Sequence, residues 1–264
     1  MKLTKTAAAL ATCGLLGVGN AHAFLLNWAL DVDGAGGNAA VEVLELVDLV
    51  GTSFIKNSFN GPIAPGTTFS FEEAGLFGVS TADGGAIAGG SDLPGTLRAE
   101  FVGTGSGTIG SNISFNAYAD SLRLFSGATE IATFDMVTGS GDLQGTSLLP
   151  NGQVSITFRA TNIAAGYFFR DISLADDLFD NVADGLFFGF ATVNASARAN
   201  GFSSAPVSAL YSSEFGGATG LNDQLGNLWI GNIGQFRIDV PEPASLALLG
   251  LGLAGLGFSR RKVS

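Results

Sequence analysis

Alternating apolar and polar residues recur along the middle of the chain and predict half-buried antiparallel strands. In residues 154–159 (Val-Ser-Ile-Thr-Phe-Arg), three apolar side chains fall on one face and three polar side chains on the other. Residues 113–117 and 236–240 repeat this alternation. Because successive side chains of a strand point to opposite faces, each segment is expected to bury one face and expose the other.

Further apolar runs and Gly-rich stretches extend this pattern over most of the chain. Strands are also predicted at residues 69–71, 97–102, 122–125, 130–136, 186–193 and 228–233. Three Gly-rich stretches, residues 103–107, 139–142 and 150–152, are interpreted as turns between strands. Eight to eleven strands at this spacing, without a fixed repeat period, predict one all-β domain over residues 24–239, built as an antiparallel β-sandwich or jelly roll.

Two segments leave the choice of secondary structure open. Residues 41–50, with Glu42, Glu45 and Asp48 spaced three apart, fit a short helix as well as a strand. Residues 174–185 are expected to form one or two helical turns within a loop.

The first 23 residues have the pattern of a secretory signal peptide. Lys2 and Lys5 precede an apolar run over residues 7–18, which is expected to form the N-terminal signal helix. Small side chains at Ala21 and Ala23 occupy the two positions that a signal peptidase reads, so cleavage is predicted before Phe24. The sequence therefore predicts export, with signal peptidase as a processing enzyme.

Residues 240–264 form a second segment that is separate from the domain. Within it, residues 244–258 carry no charge and are expected to form a C-terminal hydrophobic helix. Fifteen residues at roughly 1.5 Å each span about 22 Å, which is less than the hydrocarbon core of about 30 Å. The basic residues 260–262 would stay on the cytoplasmic side. An ordinary membrane anchor and a transient anchor both remain compatible with this segment.

The residues around this stretch carry a resemblance to a known sorting signal. Pro241, Glu242 and Pro243, the apolar stretch, and Arg260 and Arg261 resemble, in that order, the PEP-CTERM signal of Gram-negative bacteria that make extracellular polysaccharide. The resemblance implies that an exosortase, a membrane protease, cuts near the Pro-Glu-Pro motif. Transient anchoring in the inner membrane and delivery to the cell surface or extracellular matrix are then expected.

A second resemblance lies within the domain. Residues 166–171 (Gly-Tyr-Phe-Phe-Arg-Asp) and 186–195 are similar to the flocculation-associated PEP-CTERM proteins of floc-forming bacteria. Those proteins help to hold cells together through polysaccharide and have no catalytic residues to transfer. The resemblance implies exopolysaccharide as a partner and a role in floc or biofilm cohesion.

The chain between the two terminal segments is acidic and contains neither cysteine nor histidine. Between Phe24 and Pro241 there are seven Lys and Arg residues and 22 Asp and Glu residues, a formal charge of −15. This charge disfavours nucleic acid and anionic lipid as partners. Cys13 and His22 both lie in the predicted signal peptide. The mature domain is therefore expected to lack disulfides, zinc sites built on His or Cys, and Ser-His-Asp or Cys-His centres.

Two candidate binding sites follow from the residue types. Asp31, Asp33 and Asn38 lie on a Gly-rich turn where several oxygens could surround one calcium ion, although the closing Glu of an EF-hand loop is missing. The same residues also fit an exposed turn without a metal. Trp28 and Trp229 are candidate platforms for stacking on sugar rings, which would make the domain a carbohydrate-binding module.

An enzyme is the least favoured functional class. A glycoside hydrolase needs only two suitably placed carboxylates, so a secreted hydrolase that uses Asp and Glu is a further alternative. No Glu of the domain lies in a recognisable catalytic motif. The sequence therefore favours an exported, exosortase-processed matrix or surface protein that associates with exopolysaccharide and needs no catalytic residues or cofactor.

Overall fold

The computed structural model shows an all-β domain. It describes residues 28–36, 40–44, 46–87, 89–91, 93–119, 121–144, 151–178, 188–199, 201–217 and 226–239. Leu26–Val240 form one compact unit.

The described residues contain thirteen strands and one helix. In chain order they are β1 (Trp28–Asp31), β2 (Ala40–Val43), β3 (Val47–Phe59), β4 (Thr68–Ala82), β5 (Gly85–Ala86), β6 (Leu97–Thr108), β7 (Asn112–Phe115), β8 (Ser121–Ser126), β9 (Thr129–Gln144), β10 (Asn151–Ile163), β11 (Phe168–Phe169), β12 (Phe188–Ala197), α1 (Ala205–Glu214) and β13 (Asn227–Asp239).

Ten of these strands join in one antiparallel sheet that closes on itself. Around the ring the order is β4, β3, β13, β12, β10, β9, β7 with β8, and β6, which pairs back onto β4, while the short β5 pairs with the end of β4. β7 and β8 share one position, because each pairs with a different half of β6 and both pair with β9. Within the described residues the sheet is therefore a closed barrel with eight strand positions, and the prediction of a β-sandwich or jelly roll was wrong.

Two of the Gly-rich stretches that were interpreted as turns belong to strands. Residues 103–107 lie in β6 and residues 139–142 lie in β9. Their glycines alternate with exposed or half-buried polar residues, and neighbouring side chains occupy the space beside the glycines. In the third stretch, Asn151 and Gly152 begin β10, and Pro150 lies outside the described residues.

The two ambiguous segments contain no helix where they are described. Residues 41–43 belong to β2 and residues 47–50 to β3. Residues 174–178 are irregular, with an isolated bridge between Phe169 and Asp177, and residues 179–187 lie outside the described residues.

A small three-stranded sheet, in the order β11, β1, β2, packs against one end of the barrel. It contributes Trp28, Leu30 and Val43 to the same buried cluster as Val47 and Ile238. Those last two residues lie where β3 begins and β13 ends. The small sheet therefore covers this end of the barrel with apolar side chains.

Helix α1 lies against the outside of the barrel. Pro206 is in the first turn, where a missing N–H costs no helical hydrogen bond. Val207 and Tyr211 are buried and form a second apolar cluster with Phe54 and Trp229. One strip of the outer wall is thereby a second, smaller core.

The two predicted terminal helices lie outside the described residues, as do the signal peptide and the stretch from residue 240 onward. In the part of the chain that the structure describes, no helix has the length and apolar character needed to cross a membrane.

Candidate functional site

The barrel interior is densely packed next to the small sheet. Phe134, Phe158 and Phe236 are buried here, with ring centroids 5.5 Å apart for Phe134 and Phe236 and 6.5 Å apart for Phe158 and Phe236. Leu97 and Met136 belong to the same cluster and are also fully buried. We call this region, where β3 begins and β4 ends, the packed half.

The opposite region, where β3 ends and β4 begins, contains a partly open apolar cavity of about 110 Å³. Its wall includes Phe69 and Phe71 of β4, Ile109 of the turn after β6, Ile113 of β7 and Val154 of β10. An eight-stranded barrel has an interior that is either just filled by side chains or able to hold one small ligand. We call this region the cavity half.

Glycines on the inner wall hold aromatic rings away from the centre of the cavity half. A Cβ atom at Gly105 would lie 2.5 Å from Cζ of Phe71, and one at Gly107 would lie 2.8 Å from Cζ of Phe69. Both distances are shorter than van der Waals contact, so the two rings lie directly against the backbone of β6. Side chains at these positions would push the rings inward and reduce the free volume.

The cavity lowers the stability of the barrel if it stays empty. At about 24 cal/mol per Å³ for a closed cavity, an unfilled volume of this size costs at most roughly 2 to 3 kcal/mol. Total stabilities of domains are only about 5 to 15 kcal/mol. A cavity with this cost is a candidate ligand site.

Three polar side chains interrupt the apolar wall among the described lining residues, Asn57, Glu73 and Asn232, while Asp142 borders the cavity from an exposed position. Glu73 and Asn232 are 9% and 3% exposed. Asn232 Nδ2 donates a hydrogen bond of 2.5 Å to Oγ of Ser53, which is fully buried. A few polar groups in a mainly apolar wall are typical of pockets that orient a small ligand.

The outside of the barrel carries a second candidate site, a continuous surface of hydroxyl and amide side chains. Its central row runs across β7, β9, β10 and β12, because Ser114 pairs with Ser140, Ser140 with Ser155, and Ser155 with Thr192. The Oγ atom of Ser155 and Oγ1 of Thr192 are 3.4 Å apart. All members are uncharged and are exposed or half-buried. We call this surface the hydroxyl–amide face; it consists of this row and its neighbours Thr138, Gln153, Thr157 and Asn194.

The same row continues around the barrel through a different electrostatic environment. Ser106, Ser70 and Ser58 extend it onto β6, β4 and β3, which follow β7 around the ring. In the adjacent row, Lys56 Nζ lies 3.8 Å from Glu72 Oε2. This charged side of the barrel provides an internal control for the hydroxyl–amide face.

The predicted calcium residues differ in their exposure to solvent. Asp31 is fully buried, and its Oδ2 accepts a hydrogen bond of 2.7 Å from the N–H of Gly36. Asp33 is exposed, and its Oδ1 accepts a hydrogen bond of 3.0 Å from the N–H of Ala35. Asn38 lies outside the described residues. The described part of the chain contains no group of three or more His, Cys, Asp or Glu side chains that could hold a metal ion.

Burial corrects the prediction of sugar stacking at the two tryptophans. Trp229 is fully buried beneath α1, with ring-centroid distances of 5.0 Å to Phe54 and 5.9 Å to Phe202. Trp28 is 3% exposed and stacks on Phe168 at 5.8 Å. Because both rings lie in apolar clusters, neither offers a face to a polysaccharide at the surface.

Tyr211 fastens α1 to the barrel wall. Its O–H donates a hydrogen bond of 2.6 Å to Oε2 of Glu72 on β4. Burial raises the pKa of the Tyr211 phenol well above its usual value, and the hydrogen bond and negative charge of Glu72 raise it further. The phenol is therefore a neutral structural donor at physiological pH.

The carboxylates of the loop after β11 are engaged with their own neighbours. Arg170 Nε donates a hydrogen bond of 2.6 Å to Oδ2 of Asp176. Hydrogen bonds from the side chain and backbone of Ser173 lower the pKa of Asp171. These contacts shape a turn, and they do not form a pair of carboxylates facing a common cleft.

The residues predicted to direct export lie outside the described residues. They are Ala21, Ala23 and Phe24 at the signal cleavage site and Pro241, Glu242, Pro243, Arg260 and Arg261 in the sorting motif.

Sequence reasoning missed both the cavity and the hydroxyl–amide face. A usable signal was nevertheless present in residues 103–107 and 139–142, where glycine alternates with polar residues at the two-residue period of a strand. That period would have placed the glycines on the inner face and Ser106 and Ser140 on the outer face.

Comparison with known proteins supports the sorting motif. Residues 239–262 match a family model described as the PEP-CTERM protein-sorting motif, which confirms the predicted resemblance. Comparison with curated proteins gave no match, and comparison with solved structures gave none either. The chain thus carries at its C-terminus a PEP-CTERM sorting motif, which indicates a secreted protein that is targeted to an exosortase and anchored transiently through its C-terminal region.

Proposed function

We propose that the processed protein is a non-catalytic component of the extracellular matrix or cell surface of a Gram-negative bacterium. In this proposal, signal peptidase removes residues 1–23 and an exosortase cuts near Pro241, Glu242 and Pro243. The released barrel associates with exopolysaccharide and supports floc or biofilm cohesion. The observation that carries the proposal is the sorting motif at residues 239–262, on the same chain as an extended hydroxyl–amide face.

The chemistry of the hydroxyl–amide face supports a polysaccharide partner. Ser and Thr hydroxyls donate and accept hydrogen bonds, and the Gln and Asn amides do both as well. Strand geometry repeats these groups about every 4.8 Å across the sheet and about every 6.8 Å along it. A long polymer can make many weak contacts with such an array, and linked contacts raise the overall affinity.

The absence of charge within this face matters because the chain is acidic. With a formal charge of −15 between Phe24 and Pro241, most of the surface would repel an anionic polymer. The eight members of the face are uncharged, and the exposed Asp142 beside Gln153 is a like charge only for an acidic polymer, so a neutral polysaccharide can approach there without repulsion.

A non-catalytic role is favoured by the residue types that remain after processing. The chain after Phe24 has no Cys or His, which are the residues of most nucleophile–base pairs. Incubating the secreted protein with the host exopolysaccharide, with and without calcium, is expected to leave the chain length of the polymer unchanged. Shortened chains that depend on this protein would contradict the proposal.

Co-sedimentation with purified host exopolysaccharide tests the binding surface. Replacing Ser140, Ser155 and Thr192 together with Val removes three adjacent hydroxyls while keeping residues that favour strands. Since one hydrogen bond contributes about 0.5 to 1.5 kcal/mol, the triple variant is expected to bind at least tenfold more weakly.

The matched control replaces Ser58, Ser70 and Ser106 with Val. These three also lie in one cross-strand row, on the charged side of the barrel. The control should bind like the unchanged protein. Equal loss of binding in both triple variants, or no loss in either, would refute the assignment of the hydroxyl–amide face.

A genetic experiment tests the cellular role separately. Deleting the gene should reduce cell aggregation and lower the polysaccharide retained in flocs, and deleting the exosortase should leave the protein uncut in the membrane fraction. Unchanged aggregation and matrix composition in the gene deletion would overturn the role in cohesion.

A further inference from the structure

We propose that the cavity half binds a small, mainly apolar molecule built on one aromatic ring system, with an N–H or O–H group that donates a hydrogen bond to the polar wall at Glu73. The proposal concerns the barrel interior and stands independently of the polysaccharide association on the outside.

The cavity half differs from a packing defect because its wall is built to stay open. In the packed half, the rings of Phe134 and Phe158 both contact Phe236, and Phe158 also borders the cavity from this side. In the cavity half, Phe69 and Phe71 lie against glycines of β6. Large inward side chains therefore fill the barrel in the packed half. In the cavity half, the inward rings lie along the wall and leave the centre free.

Aromatic side chains give the cavity wall its ligand preference. Phe71 and Phe115 meet edge to face at 5.1 Å, and Phe59 and Phe69 lie 5.6 Å apart. Such edges and faces contact a flat ring favourably, since aromatic pairs prefer edge-to-face or offset stacking. An aromatic ligand would extend this network into the free space.

The polar groups of the wall determine which polar group the ligand should carry. Glu73 is mostly buried and lines the cavity on β4, and Asn57 lines it on the neighbouring strand β3. A carboxyl group can accept a hydrogen bond in either protonation state, so a donor group of the ligand can be its partner. Asn232, on the other side of β3, adds an amide that can accept as well as donate.

The volume limits the size of the ligand. An apolar cavity of about 150 Å³ accepts benzene, and the cavity here is about 110 Å³. The cavity is partly open, so one ring system can enter with part of it at the opening, whereas most of a long acyl chain would stay outside. Indole combines a flat apolar ring system with a single N–H donor, and indene has a similar shape without the donor.

Calorimetric titration of the secreted protein with indole and with indene tests the proposal. Indole is expected to bind saturably at one site per chain, and indene at least fivefold more weakly. Replacing Glu73 with Leu should abolish this preference. An absence of saturable indole binding by the unchanged protein would refute the cavity as a binding site, and equal affinity for both probes would refute the role of Glu73.

Two adjacent substitutions on β12 provide the structural control. Ala195 lines the cavity, whereas Ser196 is exposed on the outside. Ala195→Phe should fill the cavity and reduce indole affinity at least tenfold, and Ser196→Phe adds the same ring outside and should leave it unchanged. If Ala195→Phe does not fold, Ala195→Leu should weaken binding at least threefold. Equal affinities in a folded Ala195 variant and Ser196→Phe would place indole elsewhere and overturn the proposal.

Discussion

The two halves of the barrel are built from the same strands but differ in how their interiors are filled. In the packed half, fully buried side chains such as Phe134 and Met136 meet beneath the small sheet. In the cavity half, the strands continue, but glycines and rings set against the wall leave about 110 Å³ free. The register of the strands is shared, so the difference comes from which residues occupy the inward positions.

One closed sheet can therefore provide stability at one end of its axis and space for a ligand at the other. Hydrophobic burial in the packed half supplies the free energy that holds the ring closed. The cavity half gives up part of that burial and gains a space that a ligand can enter. Changes in the two halves should therefore have different consequences.

The largest expected contrast is between two Phe→Ala substitutions. Phe134→Ala empties a tightly packed site and should lower the free energy of unfolding by about 3 to 5 kcal/mol. Phe69→Ala removes a ring that already borders free space, so fewer contacts are lost and a cost of about 2 kcal/mol is expected. Denaturant unfolding of both variants measures the two values. Equal costs would contradict the distinction between the halves.

Replacing a small inward residue with a larger one tests the same distinction between the two halves in the opposite direction. Ala99 is fully buried in the packed half, so Ala99→Leu should destabilise by about 1 to 3 kcal/mol through overpacking. Ala195→Leu extends into the cavity and should change stability by less than about 0.5 kcal/mol, or increase it. Thermal unfolding of the two variants compares them directly. A similar loss for Ala195→Leu would show that the cavity half is packed in solution.

A substitution on the outer wall separates stability from binding. Tyr211→Phe removes the hydrogen bond to Glu72 and keeps the buried ring. The free energy of unfolding should fall by about 1 to 2 kcal/mol, because the lost hydrogen bond has a charged acceptor. The affinity for indole should not change, since the cavity lies on the inner side of the wall. If Tyr211→Phe lost indole affinity as well as stability, the shape of the cavity would depend on the overall stability of the barrel.

The smallest expected effect is a pH dependence at high pH. The pKa of Tyr211 is raised in the folded protein, so the unfolded chain loses the phenol proton first, near pH 10. Stability from this group is therefore present below about pH 10 and decreases as the pH rises further. Unfolding between pH 8 and 11 should show a shallower decline in Tyr211→Phe than in the unchanged protein. Identical slopes would exclude the Tyr211 contribution.

The sequence predicted the individual strands better than their arrangement. The alternation in residues 154–159 correctly places Ile156 and Phe158 inside and Ser155 outside, because a strand has a period of two. Closure into a barrel was not predictable from that period, since one buried face looks the same in a sandwich and in a barrel. It depends on the pairing of β3 with β13, strands that are far apart in the chain.

The candidate sites show the same limit. Trp28 and Trp229 were interpreted as surface platforms because tryptophan is suited to sugars, but the position of α1 and of the small sheet buries them. The inward glycines of β6 and β9 were assigned to turns from composition, although their alternation already fitted a strand. The PEP-CTERM motif was predictable because it depends on a short local order of residues, without any tertiary contact.

The difference between the two halves is tested most directly by a crystal structure of the secreted protein under xenon pressure. Xenon enters apolar cavities, so an anomalous peak is expected beside Phe69 and Phe71, with none in the packed half. Rings of Phe69 and Phe71 turned into the centre of the barrel, with no xenon bound there, would contradict the proposed division of the barrel.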